Sequence, residues 1–315
     1  MTVAITGASG FLGRNLLLKL LQSRDTNIRV LSRSLLFKND DIFRDSNLKY
    51  YLGDLLDAKS LINFLEPECT VINLVYSMKS GEDANLQMTR NLISACQDIG
   101  IKRLIHCSTA EVFGRTEENP VTENTPCNPI TSYGVTKLKI EKIISEGGNK
   151  RFAVAILRPT AVFGPKGENL KKLSRDMIVG SRVKNYIKSC LFGARRMNLV
   201  SITNVVNAVI FLAGHKTLIN NNVFILSDDN SSANTFEYVE RVVMEKLNIK
   251  AYTNLKITVP PQLLEILLRI MGRNNINPKR NYSSEKLVKL GFVPEVSFEA
   301  ALDKYAEGCL TSLRT

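Results

Sequence analysis

Short runs rich in β-branched residues alternate with longer amphipathic stretches through the first half of the chain. The strand-like runs are 2–6 (TVAIT), 28–32 (IRVLS), 48–52, 70–75 (TVINLV), 103–107 (RLIHC) and 152–158 (FAVAILR). Between them, 11–23, 57–65, 83–99 and 132–146 carry apolar positions at helical spacing. Apolar strands separated by helices predict right-handed βαβ units and a parallel sheet covered on both faces. The fold class expected is α/β, a doubly wound parallel sheet of the Rossmann type.

After Pro165 the rhythm changes. Segments 168–180, 203–214, 235–248 and 260–272 read as helices, and 183–187, 198–202, 223–226 and 254–258 as short strands. This predicts a dinucleotide-binding Rossmann domain over 1–165 and a smaller C-terminal α/β substrate lobe over 166–315. Residues 203–226 are left open to return to the first sheet.

Composition narrows the class. The 315 residues are 44% hydrophobic and 23% charged, as in an ordinary globular enzyme. Six cysteines are scattered without a CxxC pair, which argues for reduced thiols and no metal site. No stretch has the apolar length of a membrane span, and a first strand from Val3 leaves no room for a signal peptide, so a cytoplasmic protein is expected. The net charge of +12 raises the question of nucleic acid. Its basic residues lie in pairs such as Lys171–Lys172 and Arg195–Arg196, with no long basic run between aromatics, which favours anionic small molecules instead. The apolar side of VPPQLLEILLRIMG, 259–272, reads as packing within the lobe, with loose membrane association as the alternative.

The glycine pattern carries the first chemistry. TGASGFLG, 6–13, follows the first strand and opens the first helix, with Gly7, Gly10 and Gly13 at intervals of three. Backbone N–H groups and the positive end of a helix suit a pyrophosphate at such a place. Gly7 permits the turn, Gly10 the close approach and Gly13 the packing of helix on strand, while Ser9, Phe11 and Leu12 complete the loop. A glycine turn with no ligand is the competing reading; the strand before and the helix after argue against it.

The spacing departs from ordinary dehydrogenases and resembles the cofactor loop of the extended short-chain dehydrogenase/reductases, the epimerase/dehydratase branch. The resemblance continues in GDLLD (53–57), VINLVYS (71–77), STAEVFG (108–114), YGVTK (133–137), RPTAVFGP (158–165) and SSEKLVKLGFVP (283–294). In VINLVYS the usual His and Ala residues are replaced by Asn73, Val75 and Tyr76. The resemblance implies that Asp54 and Leu55 contact the adenine, that Leu74, Val75 and Pro159 also line the cofactor, and that Asn85 and Ala161 face the substrate. It implies a homodimer through the helices near 83–99 and 132–146 as well.

Tyr133 and Lys137 stand one helical turn apart on one face. A neighbouring ammonium is expected to bring the phenol, which ordinarily titrates near 10, down toward the working pH of a general acid/base. The family's Ser/Thr role falls on Thr109, with Ser108 as the alternative. A cofactor-sensing regulator without catalysis is the reading from another class, and the Tyr–Lys pair argues against it.

Where an acidic residue would bind the ribose of NAD, this chain has Ser32 and Arg33, with Lys38 a few residues on, which favours NADP(H) over NAD(H). The stretch GARRMNLVSITNVVNAV, 193–209, is similar to a segment of bacterial sugar-nucleotide 4-ketoreductases, which implies that Arg195 or Arg196 clamps a substrate diphosphate. The expected function is an NADP(H)-dependent 4-keto-sugar reductase acting on a nucleotide sugar for surface polysaccharide. A 4-epimerase with tightly bound NAD is the alternative.

Overall fold

The computed structural model describes residues 1–23, 25–34, 45, 47–148, 151–217, 221–252, 259–272 and 275–314. The described residues form strands β1 (Thr2–Thr6), β2 (Asn27–Ser32), β3 (Leu48–Leu52), β4 (Thr70–Asn73), β5 (Arg103–Cys107), β6 (Ala153–Pro159), β7 (Ala161–Phe163), β8 (Leu199–Ser201) and β9 (Asn222–Leu226). Seven of them make one sheet in the order β3-β2-β1-β4-β5-β6-β9. From β3 to β6 the pairing is parallel throughout. The chain runs outward from β1 to β3 and then returns to β4 on the other side of β1. At that reversal the loops leaving β1 and β4 part, and a crevice opens outside the carboxyl ends of the strands.

The helices are α1 (Phe11–Leu21), α2 (Gly81–Ile99), α3 (Ser132–Gly148), α4 (Lys171–Val179), α5 (Arg182–Phe192), α6 (Ile202–Gly214), α7 (Phe236–Lys246), α8 (Pro261–Ile270), α9 (Glu285–Lys289) and α10 (Phe298–Arg314). Contacts divide the chain into two compact units. The first holds Met1–Val112, Pro129–Arg158 and Val206–Phe224, and the second Phe113–Asn128, Pro159–Val205 and Ile225–Thr315.

In the first unit the apolar runs read from the sequence become fully buried strands: all of Val3–Ile5, Thr70–Asn73 and Arg103–Cys107 are buried. Arg103, at the start of β5, is buried as well. Its guanidinium donates to the carbonyls of Leu212 and Ala213, the otherwise unpaired end of α6, and to that of His215.

The second unit has its own core, in which Phe163 meets Phe298 and Tyr305 edge to face and α7 packs on α10. Its polar interior is centred on one carboxylate. Asp229 accepts from Asn198, Asn234 and the Tyr282 amide.

Two expectations from the periodicity are corrected. Residues 183–187 are helix, not strand: Ser181 caps α5 by accepting from the Lys184 amide, and the inward positions Asn185 and Ser189 are four apart. Residues 57–65 hold only one tight 3₁₀ turn, Ala58–Leu61, because the Asp57 carboxylate accepts from the Lys59 amide and the chain is drawn into a turn instead of a longer helix. The strand expected at 254–258 lies outside the described residues. No helix among the described residues is long and apolar enough to cross a membrane.

Candidate active site

The glycine loop is shaped by contacts that a side chain would break. Gly7 has φ +78, and a Cβ there would stand 3.1 Å from the backbone of Leu74 and Val75. A Cβ on Gly13 would lie 2.2 Å from the Gly7 carbonyl, so only glycine lets α1 press on the turn. Gly10 differs: its Cβ would meet nothing closer than the Gly7 oxygen at 3.4 Å, and it would fill the open cradle of the loop.

The first hydrogen bond of α1 runs from the Arg14 amide to the Gly10 carbonyl. The amides of Phe11, Leu12 and Gly13 therefore precede the helical ladder and have no acceptor within it. No acidic residue stands in this first turn. Free amides, an open cradle and no opposing charge fit a pyrophosphate.

Around the loop, Asp54 closes its own turn by accepting from the Leu56 amide, and Ser60 braces the Asp54 backbone. Leu55 is buried in the core, and Ser9 lies exposed at the loop tip. The Ser32 hydroxyl donates to the Ser34 carbonyl, and Arg33 is exposed. Lys38 lies outside the described residues.

From this loop the segment 73–76 leads to the reacting groups. The Asn73 amide oxygen accepts from the Thr6 hydroxyl at 2.8 Å and the Val75 amide at 3.3 Å, and its nitrogen contacts His106 Nδ1 at 3.3 Å. One side chain thus ties together the ends of β1, β4 and β5. Burial holds His106 far below its usual range, with the Lys137 charge acting the same way, so the ring is neutral. Leu74 and Val75 then pass against Gly7, and Tyr76 reaches the Tyr133 and Lys137 side chains.

Lys137 is 3% exposed. Its ammonium donates to the Cys107 carbonyl at 2.8 Å and lies 5.4 Å from the centre of the Tyr76 ring. Burial lowers the lysine from its usual value, while the neighbouring Cys107 and Glu141 oppose the shift. Tyr133 is only partly exposed, with the Thr109 side chain near enough to favour its charged form. Burial, then the charges of Cys107 and Glu111, push the phenol above its ordinary range, and Thr109 opposes them. The expectation of a lowered phenol is therefore overturned for this state. Burial is the largest influence on the phenol, and the Lys137 ammonium gives its hydrogen bond to the Cys107 carbonyl. Ser108 is buried beside Thr109, and its hydroxyl has no partner among the described residues.

The structure thus gathers Thr109, Ser108, Tyr133 and Lys137 at one place and adds Tyr76, which the sequence reading noted but gave no role. Glu141, one turn beyond Lys137, pairs in bidentate fashion with Arg158 at 2.6 Å and anchors α3 to β6. The i+4 spacing from Lys137 and the arginine opening RPTAVFGP were the available signals for that pair. Asn85 has a different use from the one expected: its amide donates to the carbonyls of Ser77 and Gly81 and accepts from the Ser77 amide, so it knots the turn before α2.

In the second unit, Pro159 is buried and Ala161 is partly exposed at the start of β7. The Arg196 fork is spent on the carbonyls of Ser231 at 2.6 Å and Asp229 at 3.2 Å. Arg195 makes a longer contact, 3.5 Å, to the Asn275 carbonyl.

Residues 3–226 match the sequence model of the NAD dependent epimerase/dehydratase family. The chain belongs to this family, whose members are oxidoreductase-type enzymes. It is similar to the N-acetyl-α-D-glucosaminyl-diphospho-ditrans,octacis-undecaprenol 4-epimerase of Escherichia coli O157:H7, 31% identical over 52% of this chain and 50% of that protein. It is also similar to the UDP-glucose 4-epimerase of Bacillus subtilis, 29% identical over 52% of this chain and 53% of that one. The chain spans about half the length of these relatives. Its fold is shared with the UDP-glucuronic acid 4-epimerase of Bacillus cereus solved with NAD, at a TM-score of 0.75 and 19% identity over 100% of this chain and 98% of that one.

Proposed function

We propose that the chain is a 4-epimerase of a hexose carried on a diphosphate, working with tightly bound NAD. The observation that supports this reading best is the Thr109–Tyr133–Lys137 cluster, joined through 73–76 to a loop that fits a pyrophosphate. The relatives named above favour epimerisation over the 4-keto reduction expected from the sequence. NAD is likewise the dinucleotide in the structural neighbour, so the NADP(H) preference read from Ser32 and Arg33 gains no support from it.

NAD, when bound, would supply the acceptor for the hydride of the sugar carbon and its donor to the opposite face of the resulting carbonyl, which is what inverts the centre. The amides of Phe11, Leu12 and Gly13 would hold its pyrophosphate, and Asp54 its adenine. Tyr133 takes the proton of the sugar hydroxyl as the carbonyl forms and gives it back as the carbonyl is reduced. Thr109 would share a hydrogen bond with that phenol and orient the oxygen. The buried Lys137 charge offsets the negative charge that builds on the phenol once the proton has left. For the substrate diphosphate the resemblance implies Arg195 or Arg196, and the Arg196 fork already donates to the carbonyls of Ser231 and Asp229. The diphosphate bears either a nucleoside or a polyprenol, as in the two relatives. We also propose the homodimer through α2 and α3 that the resemblance implies.

The test is incubation of purified protein and NAD with UDP-glucose, UDP-N-acetylglucosamine and a polyprenyl-diphosphate sugar. Inversion at C4 without net change in nicotinamide absorbance is expected, and it should vanish in Tyr133→Phe. Net oxidation of NADPH by a nucleotide 4-keto sugar, with no inversion of any substrate, overturns the reading in favour of the reductase.

A further inference from the structure

The positive charge of the chain is concentrated. Between residues 171 and 196 there are eight basic residues and one acidic residue, Asp176. This stretch contains α4 and α5, joined by Gly180 and Ser181. The same corner leaves large apolar side chains in water. Ile178 is 38% exposed and Val179 73% at the end of α4, and Val183 is 67% and Ile187 50% exposed, one turn apart on α5. The inward positions of these helices are Ser174 and Met177 on α4 and Asn185 and Ser189 on α5. On α5 the fully buried positions are polar, while Val183 and Ile187 face outward.

The cations stand around those side chains. Arg175 lies one turn before Ile178 and Val179, Lys171 and Lys172 two turns before them, and Arg182 and Lys184 flank Val183 in sequence. Lys171 pairs with Glu168 and Lys188 with Asp176. Lys172, Arg175 and Lys184 are exposed and have no ion-pair partner among the described residues. Exposed aliphatic side chains within a fringe of uncompensated lysine and arginine are the surface chemistry of a helix that lies on an anionic bilayer. The cations draw it to the phosphates, and the apolar side chains enter the headgroup boundary. The outer side of α8 shows Leu263, Ile266 and Ile270, but its Glu265 and Arg269 are paired at 3.4 Å, so nothing there favours a charged surface.

We propose that the α4–α5 corner docks this protein on an anionic phospholipid membrane surface, without spanning it. This goes beyond the epimerase reading and does not depend on it, because docking needs neither cofactor nor sugar. A bilayer-docked enzyme would meet a polyprenyl-diphosphate sugar where that lipid resides.

The experiment is co-sedimentation of the full chain with vesicles of phosphatidylglycerol and phosphatidylcholine in equal parts, and with phosphatidylcholine alone. Binding to the anionic vesicles is expected to be about tenfold or more the stronger, and to fall steeply with added salt. Val179→Asp with Val183→Asp should weaken it about tenfold, and so should Lys172→Glu with Arg175→Glu. The four side chains replaced in these variants are all exposed, and the melting temperature of each variant reports that it has folded. The proposal fails if the wild-type chain stays in solution with anionic vesicles, or if both folded variants bind as tightly as it does. It also fails if Val179→Asp with Val183→Asp reduces the mass of the protein in solution while leaving vesicle binding unchanged, since the corner would then be covered by a second copy of this chain.

Discussion

The rings of Tyr76 and Tyr133 meet edge to face, 4.9 Å between centres and 88° between planes. The same Tyr76 ring lies beneath the Lys137 ammonium. A single aromatic side chain therefore touches both members of the proposed catalytic pair. The ammonium is held by the Cys107 carbonyl and the ring face, and the phenol is held in a drier, less acidic setting.

Replacing Tyr76 tests that arrangement. A desolvated cation–π contact is worth about 1–2 kcal/mol, or about tenfold in rate if it serves the reaction. Tyr76→Ala is expected to lower kcat about tenfold. It should also shift to lower pH the limb that reports the phenol, because Tyr76 is among the groups that raise it. Tyr76→Phe keeps the ring and should preserve most of the rate. A pH profile unchanged in Tyr76→Ala would deny Tyr76 any part in setting the phenol.

The glycine loop predicts two different failures from the same substitution. Gly10→Ala places its methyl in open space and should leave the melting temperature near wild type while weakening NAD binding. Gly13→Ala drives a methyl to 2.2 Å from a backbone oxygen and should destabilise the fold by about 1–3 kcal/mol. Calorimetry for the fold and a titration with NAD separate the two. Equal loss of stability in both variants would contradict the cradle.

Arg158 and Glu141 are both nearly inaccessible to solvent. Arg158→Met leaves a buried carboxylate without its partner, and a loss of about 3–5 kcal/mol is expected. Adding Glu141→Leu should recover a large part of that loss, which chemical denaturation of the single and double variants would show.

Burial pushes the Asp228 carboxyl up to about 6, against the Ser201 and Asn204 hydrogen bonds that favour its charged form. A raised pKa means that the folded state holds the proton more tightly than the unfolded chain. The stabilisation is complete below the ordinary value of 3.8 and is lost as the pH rises through about 6. Over that window the wild-type protein should lose on the order of 2–3 kcal/mol through this group. In Asp228→Asn the slope should flatten, whatever the lost Asn204 bond does to absolute stability. Unfolding free energies measured from pH 4 to pH 7 would reveal an unchanged slope if the assignment is wrong.

The alternation of β-branched runs with helical stretches was enough to predict a parallel doubly wound sheet, since strand and helix periods are local properties of the chain. The glycine loop and the Tyr133–Lys137 pair were visible for the same reason: each is a spacing of three or four residues with one local geometry. Helix 182–192 was misread because 183–187 is a short stretch bounded by β-branched Val183 and Ile187, and the Ser181 cap and the burial of Asn185 with Ser189 show the helical period.

The partners of polar groups belonged to the tertiary structure alone. Nothing in YGVTK tells that the lysine gives its hydrogen bond to Cys107, thirty residues back, or that Tyr76 will lie under it. Nor does GARR reveal that the fork of Arg196 closes on carbonyls at 229 and 231. The physical reason is that a long charged side chain can reach many acceptors, and which one it finds depends on groups brought close by the fold. Periodicity is a property of neighbours in sequence. Acidity, desolvation and hydrogen-bond partners are properties of neighbours in space.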